Sequence, residues 1–238
     1  MRIYIEAELR VGALLELPAA AARHVQVRRL QPGDALRLFD GRGGEWRATV
    51  RHMGRTQVAV EVGGFDPVER EAALPVALAL GMPANERMDF LVEKATELGV
   101  HAIQPLLCER SVLRPSGERA QRKCEHWQAI AVAATEQCGR TRVPQVRAVR
   151  TLGAWLAAPT PGEQRLLLSP DAAAPMLHHV VRADAKSLLT LSGPEGGLSA
   201  DEEAAALACG FQRVQLGPRI LSAETAPLAL LAWLGLRG

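Results

Sequence analysis

The stretch that decides the fold is Leu191-Ser192-Gly193-Pro194-Glu195-Gly196-Gly197-Leu198-Ser199. An apolar run ends at Leu191, a turn with three glycines and a proline follows, and Ser199 has the chemistry of a helix cap, with Glu202 three residues further on. Glycines directly after a strand permit close backbone approach, and in an open α/β sheet ligands bind beyond the carboxyl ends of the strands. The stretch therefore predicts a strand, a ligand-binding loop and a helix. An ordinary strand–helix connection is the alternative.

A second turn of the same kind follows close by in the sequence. It lies within Val214-Gln215-Leu216-Gly217-Pro218-Arg219-Ile220-Leu221-Ser222, where a short strand meets a Gly-Pro turn and a helix begins near Ala223. The first turn does not have the spacing of a dinucleotide-binding fingerprint or of a phosphate-binding P-loop. Two such turns at one sheet edge predict a shared pocket.

Around these turns, apolar strands and amphipathic helices alternate. Val76–Leu80 and Ala102–Leu107 are predicted strands, Glu86–Leu98 and Arg119–Gln137 are predicted helices, and Ala223–Leu236 is an apolar terminal helix. Strands that alternate with helices form a parallel sheet covered by helices on both faces. The sequence therefore predicts an α/β fold for this part of the chain.

The first sixty-odd residues have the shorter alternation that is typical of β-strands. One helix is predicted within them, at Pro18–Leu30, and a linker begins at Gly63. The predicted strands are Met1–Ile5, Ala35–Phe39, Trp46–Arg51 and Gln57–Val62. Short strands with tight turns favour a small β-barrel, so we expect one domain over residues 1–68 and a second over residues 69–238.

The composition of the chain excludes several classes of protein. Hydrophobic residues make up 48% and charged residues 23% of the 238 residues, and no run reaches the roughly 18 to 20 apolar residues of a membrane helix. The N-terminus has no signal-peptide pattern. The four cysteines form no Cys-x-x-Cys pair, so we expect free thiols and no metal site. These features predict a cytoplasmic protein that does not associate with a membrane.

The net charge of +2 is unevenly distributed along the chain. Residues 1–65 carry ten arginines against seven acids, and residues 110–150 carry nine basic residues against three acids. Basic segments of this kind are typical of surfaces that bind a phosphate backbone. A solvated face is the alternative explanation.

The order and spacing of several short stretches resemble one family over essentially the whole chain. Gly193–Gly197, followed by Leu216-Gly217-Pro218-Arg219-Ile220-Leu221 and Glu224-Thr225-Ala226, is similar to the signature of the RsmE family of 16S ribosomal RNA uridine-N3 methyltransferases, which belong to the SPOUT class. Further resemblance lies in Glu93–Val100 and in Ala134–Arg140. The stretch from His24 to Asp34 resembles the family's PUA-like RNA-binding domain.

The resemblance implies a fold, a cofactor and an assembly. The fold is a SPOUT trefoil-knotted parallel-sheet domain preceded by a PUA-like β-barrel, and the cofactor is S-adenosyl-L-methionine, which binds against three loops. The substrate is 16S rRNA within the 30S subunit, and the enzyme is a homodimer in which the helix Ala223–Leu236 is a reasonable contact surface, with core packing as its alternative role. The implied cofactor contacts are Leu168, Ser169, Pro170, Ser192, Gly193, Pro194, Glu195, Gly196, Gly197, Leu216, Gly217, Arg219, Ile220, Leu221 and Ala226.

Methylation at N3 of uridine sets a chemical requirement, because the nitrogen carries a proton and is a poor nucleophile until that proton leaves. A general base, or a cation that stabilises the N3 anion, should therefore assist. Glu136, Glu195 and Glu224 are the candidates for the first role, and Arg140 and Arg219 are the candidates for the second. For Glu136 the alternative is an ion pair with Arg140 four residues on, and Glu224 could simply cap the terminal helix.

Contacts with RNA are expected from the N-terminal domain. The predicted contact residues are Arg10, Arg23, His24, Arg28 and Arg29. The alternative is surface charge for the arginines and a satisfied buried histidine for His24. One departure from the family is Ser222, where many members have arginine. If that arginine contacts RNA or substrate, its role passes elsewhere, to Arg219 or Arg140.

Three other functions are compatible with the sequence. The first is a SPOUT methyltransferase that acts on tRNA or on a ribose 2′-OH, and the second is a non-catalytic RNA-binding protein that keeps the fold, which Ser222 alone favours. The third is a small-molecule enzyme that binds a nucleotide in the glycine-rich loops. The two basic segments argue against the third.

Overall fold

The structure is a computed structural model that describes residues 1–158 and 164–237. The chain forms two compact units. The first comprises Met1–Glu71 together with Thr135–Val143, and the second comprises Ala72–Ala134 and the residues from Pro144 onward. The sequence predicted a single change of domain after residue 68 and did not predict that residues 135–143 belong to the first unit.

The first unit is a five-stranded sheet with one helix, α1 (Ala19–Val27). Its strands are β1 (Arg2–Tyr4), β2 (Leu14–Glu16), β3 (Ala35–Phe39), β4 (Glu45–Met53) and β5 (Val58–Asp66). They pair in the order β1-β3-β4-β5-β2, and only the β1–β3 pairing is parallel. Alternate apolar residues of these strands point to one core, which includes Ile3, Leu38, Val50 and Val60.

Three details of this unit differ from the sequence-based predictions. β5 runs on to Asp66, so the residues from Gly63 that were predicted as a linker continue the strand and pair with β4. β2 was not predicted, because Leu14-Leu15-Glu16 shows no alternation of apolar and polar residues. α1 ends at Val27 instead of Leu30. Arg29, whose φ is +56°, leaves the helical conformation, and Val27 at the last position of the helix is 73% exposed.

The second unit is built on a seven-stranded sheet in which every pairing is parallel. Its strands are β6 (Val76–Gly81), β7 (Ala102–Leu107), β8 (Gln145–Val146), β9 (Arg150–Thr151), β10 (Gln164–Leu168), β11 (Leu188–Ser192) and β12 (Gln212–Val214). The order is β12-β10-β11-β6-β7-β8, and β9 also pairs with β7. The predicted parallel sheet is confirmed. The short strands β8 and β9 were not predicted.

Six helices accompany this sheet: α2 (Asn85–Glu97), α3 (Gly117–Cys138), α4 (Leu152–Leu156), α5 (Leu177–Val180), α6 (Ala200–Ala208) and α7 (Thr225–Gly235). Successive residues of one strand pack into different cores. Leu166 and Leu168 of β10 belong to one apolar cluster and Leu167 to the other. Both faces of the sheet are therefore covered, which explains why its strands are apolar runs rather than alternating ones. No helix among the described residues is long and apolar enough to cross a membrane.

Candidate cofactor site

Three loops meet at one edge of the second sheet. They follow β10, β11 and β12, and because these strands are parallel neighbours their carboxyl ends lie side by side. Between the loops is a cavity of about 870 Å³. Its size is within the usual range of small-molecule sites.

All the residues predicted to contact the cofactor line this one cavity. The loop after β10 supplies Leu168, Ser169 and Pro170, and the loop after β11 supplies Ser192 and the residues 193–197, which we call the glycine loop. The loop after β12 and the start of α7 supply the remainder: Leu216, Gly217, Arg219, Ile220, Leu221 and Ala226. The sequence therefore predicted which residues come together, whereas their binding of a cofactor stays a prediction.

The glycines of this region are required by close backbone packing. A Cβ atom on Gly193 would lie 2.7 Å from the backbone nitrogen of Leu198 and 2.8 Å from the carbonyl carbon of Gly197. A Cβ atom on Gly81, at the end of β6, would lie 2.4 Å from Cδ of Pro194. These contacts are with backbone or a rigid ring, which cannot move aside as a flexible side chain can. The loop can take this path only with glycine at both positions.

The helix after the glycine loop begins with the predicted cap. The Ser199 hydroxyl accepts a hydrogen bond from the N–H of Glu202, and the Glu202 carboxylate accepts one from the N–H of Ser199. This reciprocal arrangement satisfies two of the unpaired N–H groups of a helix start. It also fixes where the glycine loop ends.

The loop after β12 is held by the side chain of Gln215. Its amide nitrogen donates to the carbonyl oxygens of Ala172 and Ala174, at 3.2 and 2.5 Å. Apolar side chains of Leu216 and Leu221 and the 85% exposed Ile220 form one wall of the cavity. An exposed apolar side chain on a cavity wall is suited to an apolar or aromatic ligand group.

Two of the predicted catalytic residues lie on the cavity wall. Glu195 is already engaged, because its Oε1 accepts a hydrogen bond from the N–H of Ala84 at 2.8 Å and lies 3.9 Å from Nη1 of Arg87. Arg219 is exposed to solvent. Of the pair, Arg219 is therefore the residue whose side chain is open to a ligand.

Glu224 lies beside the cavity at the start of α7. It is not among the lining residues, although its neighbours Ala223 and Ala226 are. Its Oε2 is buried and has no hydrogen-bond partner among the described residues. A buried carboxylate oxygen without a partner is costly, so this atom is the least satisfied polar group near the site.

The other two predicted catalytic residues lie in the first unit. Glu136 accepts a hydrogen bond from the N–H of Tyr4 at 2.8 Å. Arg140 is 4% exposed and forms an ion pair with Glu71. Neither residue lines the cavity, and both have structural partners far away in sequence, which no local pattern could reveal.

The residues predicted to contact RNA are also in the first unit. Arg23, Arg28 and Arg29 are exposed, whereas Arg10 is paired with Glu8 at 2.9 Å. The Nδ1 of His24 lies 3.9 Å from a carboxylate oxygen of Glu136. α1 and the turn after it thus carry three exposed arginines within seven residues.

Several cavity residues were missed by sequence reasoning, chiefly Arg87, Arg110, Asp171 and Glu203. The two arginines lie far in sequence from the glycine loop, and only the sheet order brings them to it. Cys108, near the carboxyl end of β7, is buried, and burial raises the pKa of its thiol to about 12. It is therefore protonated at neutral pH and is no nucleophile.

Two family profiles match the chain. One, described as the RNA methyltransferase domain, matches residues 70–235, and the other, described as the RNA methyltransferase PUA domain, matches residues 17–63. Together they cover most of both units.

Relatives of known name match over nearly the full length. Ribosomal RNA small subunit methyltransferase E of Synechocystis sp. is 37% identical over 237 residues, which covers 97% of this chain and 76% of the relative. The protein of the same name from Bacillus subtilis is 32% identical over 219 residues, which covers 87% of this chain and 84% of the relative.

Solved structures show the same architecture. The ribosomal RNA small subunit methyltransferase E of Neisseria gonorrhoeae, bound to S-adenosyl methionine, matches with a TM-score of 0.92 and 34% identity, over 99% of this chain and 97% of that one. A Legionella pneumophila methyltransferase in complex with the bound cofactor SAM matches with a TM-score of 0.93 and 34% identity, over 100% and 97%.

Proposed function

Because the chain belongs to the ribosomal RNA small subunit methyltransferase E (RsmE) family, we propose that it transfers a methyl group from S-adenosylmethionine to N3 of a uridine in 16S ribosomal RNA. The family, the α/β fold with a PUA domain, and an S-adenosylmethionine-dependent rRNA methyltransferase activity are confirmed as predicted. The choice of the uridine N3 atom rests on the resemblance.

The observation that carries the proposal is the convergence of three loops on one cavity. A cofactor with an adenine ring and a charged methionine end needs an apolar wall, backbone hydrogen-bonding groups and nearby charged side chains. The cavity offers Leu216, Ile220 and Leu221 as the wall, the glycine loop as the source of backbone groups, and both carboxylates and arginines on its lining. The residues present therefore fit the cofactor.

When bound, S-adenosylmethionine supplies an electrophilic methyl group on a positively charged sulfur. The chain's own part is to hold the target base and to favour loss of its N3 proton. We assign the stabilisation of the developing N3 anion to Arg219, whose guanidinium is exposed at the cavity. Glu224, with its unpartnered oxygen, is the candidate proton acceptor that we retain. For Glu136, Arg140 and Glu195 the contacts favour structural roles.

We assign the two domains predicted from the sequence separate tasks. Residues 1–68 form the PUA-like RNA-binding domain and residues 69–238 form the methyltransferase domain, which we expect to contain the trefoil knot. The spans of the two family profiles, 17–63 and 70–235, support this division. Exposed arginines at the end of α1 support contact with RNA phosphates by the first domain.

A homodimer belongs to the proposal as well. Phe90 on α2 is 48% exposed and Leu236 after α7 is 89% exposed, and α2 and α7 pack against each other. The apolar helix α7 is the surface that we expect at the subunit interface, as the resemblance implies. We further expect the enzyme to act in the cytoplasm, on rRNA within the 30S subunit.

The decisive experiment is methyl transfer from labelled S-adenosylmethionine to 30S subunits that lack this modification, followed by nucleoside analysis. Labelled 3-methyluridine is the expected product. Label in another nucleoside, or on a ribose, would overturn the assignment of N3, and no transfer to 30S subunits together with transfer to tRNA would overturn the substrate. Free 16S rRNA, tested in parallel, shows whether the enzyme requires the assembled subunit as its substrate.

A further inference from the structure

The glycine loop is held from outside by two arginines that no sequence pattern singled out. Arg87 lies on α2, and Arg110 lies in the connection between β7 and α3. Both contact the loop and both line the cavity. Because both arginines contact the loop and line the cavity, their contacts indicate a common role.

Arg110 holds the loop through a carbonyl group. Its Nη1 donates a hydrogen bond to the carbonyl oxygen of Gly196 at 3.0 Å. The stem of the arginine packs on the same residue, since a Cβ atom on Gly196 would lie 3.0 Å from Cβ of Arg110. A charge-assisted hydrogen bond of this kind fixes the orientation of the peptide group.

The β7–α3 connection that carries Arg110 is itself held by several hydrogen bonds. The guanidinium of Arg114 donates to three carbonyl oxygens there, those of Ser111, Cys108 and Glu109, at 3.1, 3.0 and 2.6 Å. The N–H of Glu109 donates to the carboxylate of Glu202 on α6 at 2.8 Å. A side chain on such a rigid support can hold a neighbouring loop in one place.

Arg87 lies close to Glu195, the loop residue before Gly196. The Glu195 carboxylate accepts a hydrogen bond from the N–H of Ala84 at 2.8 Å, and Nη1 of Arg87 lies 3.9 Å from the same oxygen. Ala84 is the cap residue of α2, so the carboxylate also lies at the positive end of that helix. Glu195 and Gly196, adjacent in the chain, are thus held by α2 and by the β7–α3 connection.

We propose that Arg110 and Arg87 are positioning residues that hold the glycine loop in its cofactor-binding conformation before S-adenosylmethionine arrives. Arg110 acts through the Gly196 carbonyl and Arg87 through the Glu195 carboxylate. A loop with three glycines loses more conformational entropy on ordering than other chains do, and ordering it before binding lowers the cost of binding. The inference rests on the proposed function, because it names the residues that prepare that same site.

The test compares four single variants of the full chain: Arg110→Met, Arg110→Lys, Arg87→Met and the control Arg122→Met. Arg122 is an exposed arginine of α3 whose described partner is Glu118, at 3.8 Å. Calorimetry gives the Kd for S-adenosylmethionine, and methylation of 30S subunits at saturating cofactor gives kcat and the KM for RNA. We expect Arg110→Met to raise the cofactor Kd about tenfold, as for the loss of a hydrogen bond to a charged group.

The remaining variants separate positioning from other roles. Arg110→Lys should restore most of the affinity, because an ammonium group can still donate to the carbonyl. Arg87→Met should raise the Kd about threefold, since its ion pair is longer and partly exposed. For all variants kcat at saturating cofactor should stay near that of the unmodified protein, and the control should change neither quantity.

Two results would overturn the inference. One is an unchanged cofactor Kd in Arg110→Met. The other is a lower kcat with an unchanged Kd, because this would place the arginine at the reacting atoms or on the RNA. If the unmodified protein itself binds no S-adenosylmethionine, the proposed function fails irrespective of the variants, so the two failures are distinguishable.

Discussion

Two stretches of this chain contain candidate catalytic residues and differ in where those residues lie. The glycine loop and its neighbours line a cavity. Residues 135–143, which we call the 135–143 segment, contain the candidates Glu136 and Arg140, yet they belong to the first unit and both side chains are bonded within it. A candidate catalytic residue whose side chain is already bonded within the fold is therefore better explained by a structural role.

The bonds of the 135–143 segment come from distant parts of the first unit. The guanidinium of Arg2 donates to the carbonyl oxygens of Thr135 and Arg140, at 3.0 and 2.7 Å. Glu69 accepts hydrogen bonds from Thr141 and from Arg142, at 3.2 and 3.1 Å. Side chains engaged in this way stabilise a fold, and moving them toward a substrate would break several bonds at once.

The largest effect is expected from Arg140→Met. The change leaves the Glu71 carboxylate without its buried partner, and breaking such a pair costs about 3 to 5 kcal/mol. We expect the free energy of unfolding to fall by about that amount while the Kd for S-adenosylmethionine stays the same, because the cavity is formed by the second unit. Denaturant unfolding and calorimetry measure the two quantities.

A double variant tests the cause of that loss. Arg140→Met combined with Glu71→Leu removes both charges, and replacing a buried ion pair with apolar residues is often neutral. Most of the lost stability should therefore return. If Arg140→Met is stable but has lost methyl transfer, Arg140 takes part in the reaction. The 135–143 segment would then be functional and not only structural.

Gly193→Ala should have the largest effect on the cavity. The added methyl group would lie 2.7 Å from the backbone nitrogen of Leu198, and overpacking of this kind costs about 1 to 3 kcal/mol. Because the strain falls on the glycine loop, the cofactor affinity should drop by up to about a hundredfold. Gly153→Ala is the matched control in the same unit, since nothing lies within 4 Å of its Cβ position. Equal cofactor affinity in the two variants would contradict a tightly packed loop.

Sequence reasoning located the cavity because its determinants are local. Gly193, Gly197 and Gly217 each follow a strand, and a strand followed by glycine and then a helix can be recognised in a single stretch of sequence. The loop after β10 was implied by the family resemblance, and the strand order β12-β10-β11 that brings the three loops together is seen only in the structure. Local residue types therefore indicated the two glycine-containing turns themselves.

The same reasoning could not locate partners that are far apart in sequence. Arg140 and Glu71 are separated by 69 residues, and Tyr4 and Glu136 by 132. Arg110 and Gly196 are separated by 86 residues. A short pattern contains no information about which distant group will satisfy a charge, so Glu136 and Arg140 resembled catalytic residues whereas Arg87 and Arg110 did not. β2 was not predicted because Leu14-Leu15-Glu16 has no apolar–polar alternation.

A smaller effect is expected from Arg29→Gly. Arg29 has a φ of +56°, a conformation that favours glycine after a helix, and relief of this strain should stabilise the first unit by about 1 kcal/mol. Among the described residues its guanidinium has no hydrogen-bond partner, so removal of the charge should weaken RNA binding and lower the salt slope by about one. Arg28→Ala is the control, because Arg28 has an ordinary helical φ of −77° and offers no strain to relieve. Unchanged RNA binding in Arg29→Gly would contradict a role for the Arg29 guanidinium in binding RNA.

The smallest effect is expected from Glu136→Gln, and it tests the comparison most directly. The amide oxygen can still accept the hydrogen bond from the N–H of Tyr4, so the free energy of unfolding should change by less than about 0.5 kcal/mol. Glu136→Ala removes the acceptor and should cost about 1 kcal/mol.

If Glu136 is structural, methyl transfer to 30S subunits proceeds at the same kcat in both variants, measured well below their melting temperatures. If Glu136 is instead the general base, Gln cannot take the proton, and kcat should fall by about 10²- to 10⁴-fold in a protein of unchanged stability. A loss of rate without a loss of stability in Glu136→Gln would place the 135–143 segment with the active site, because a purely structural role predicts an unchanged kcat in both variants.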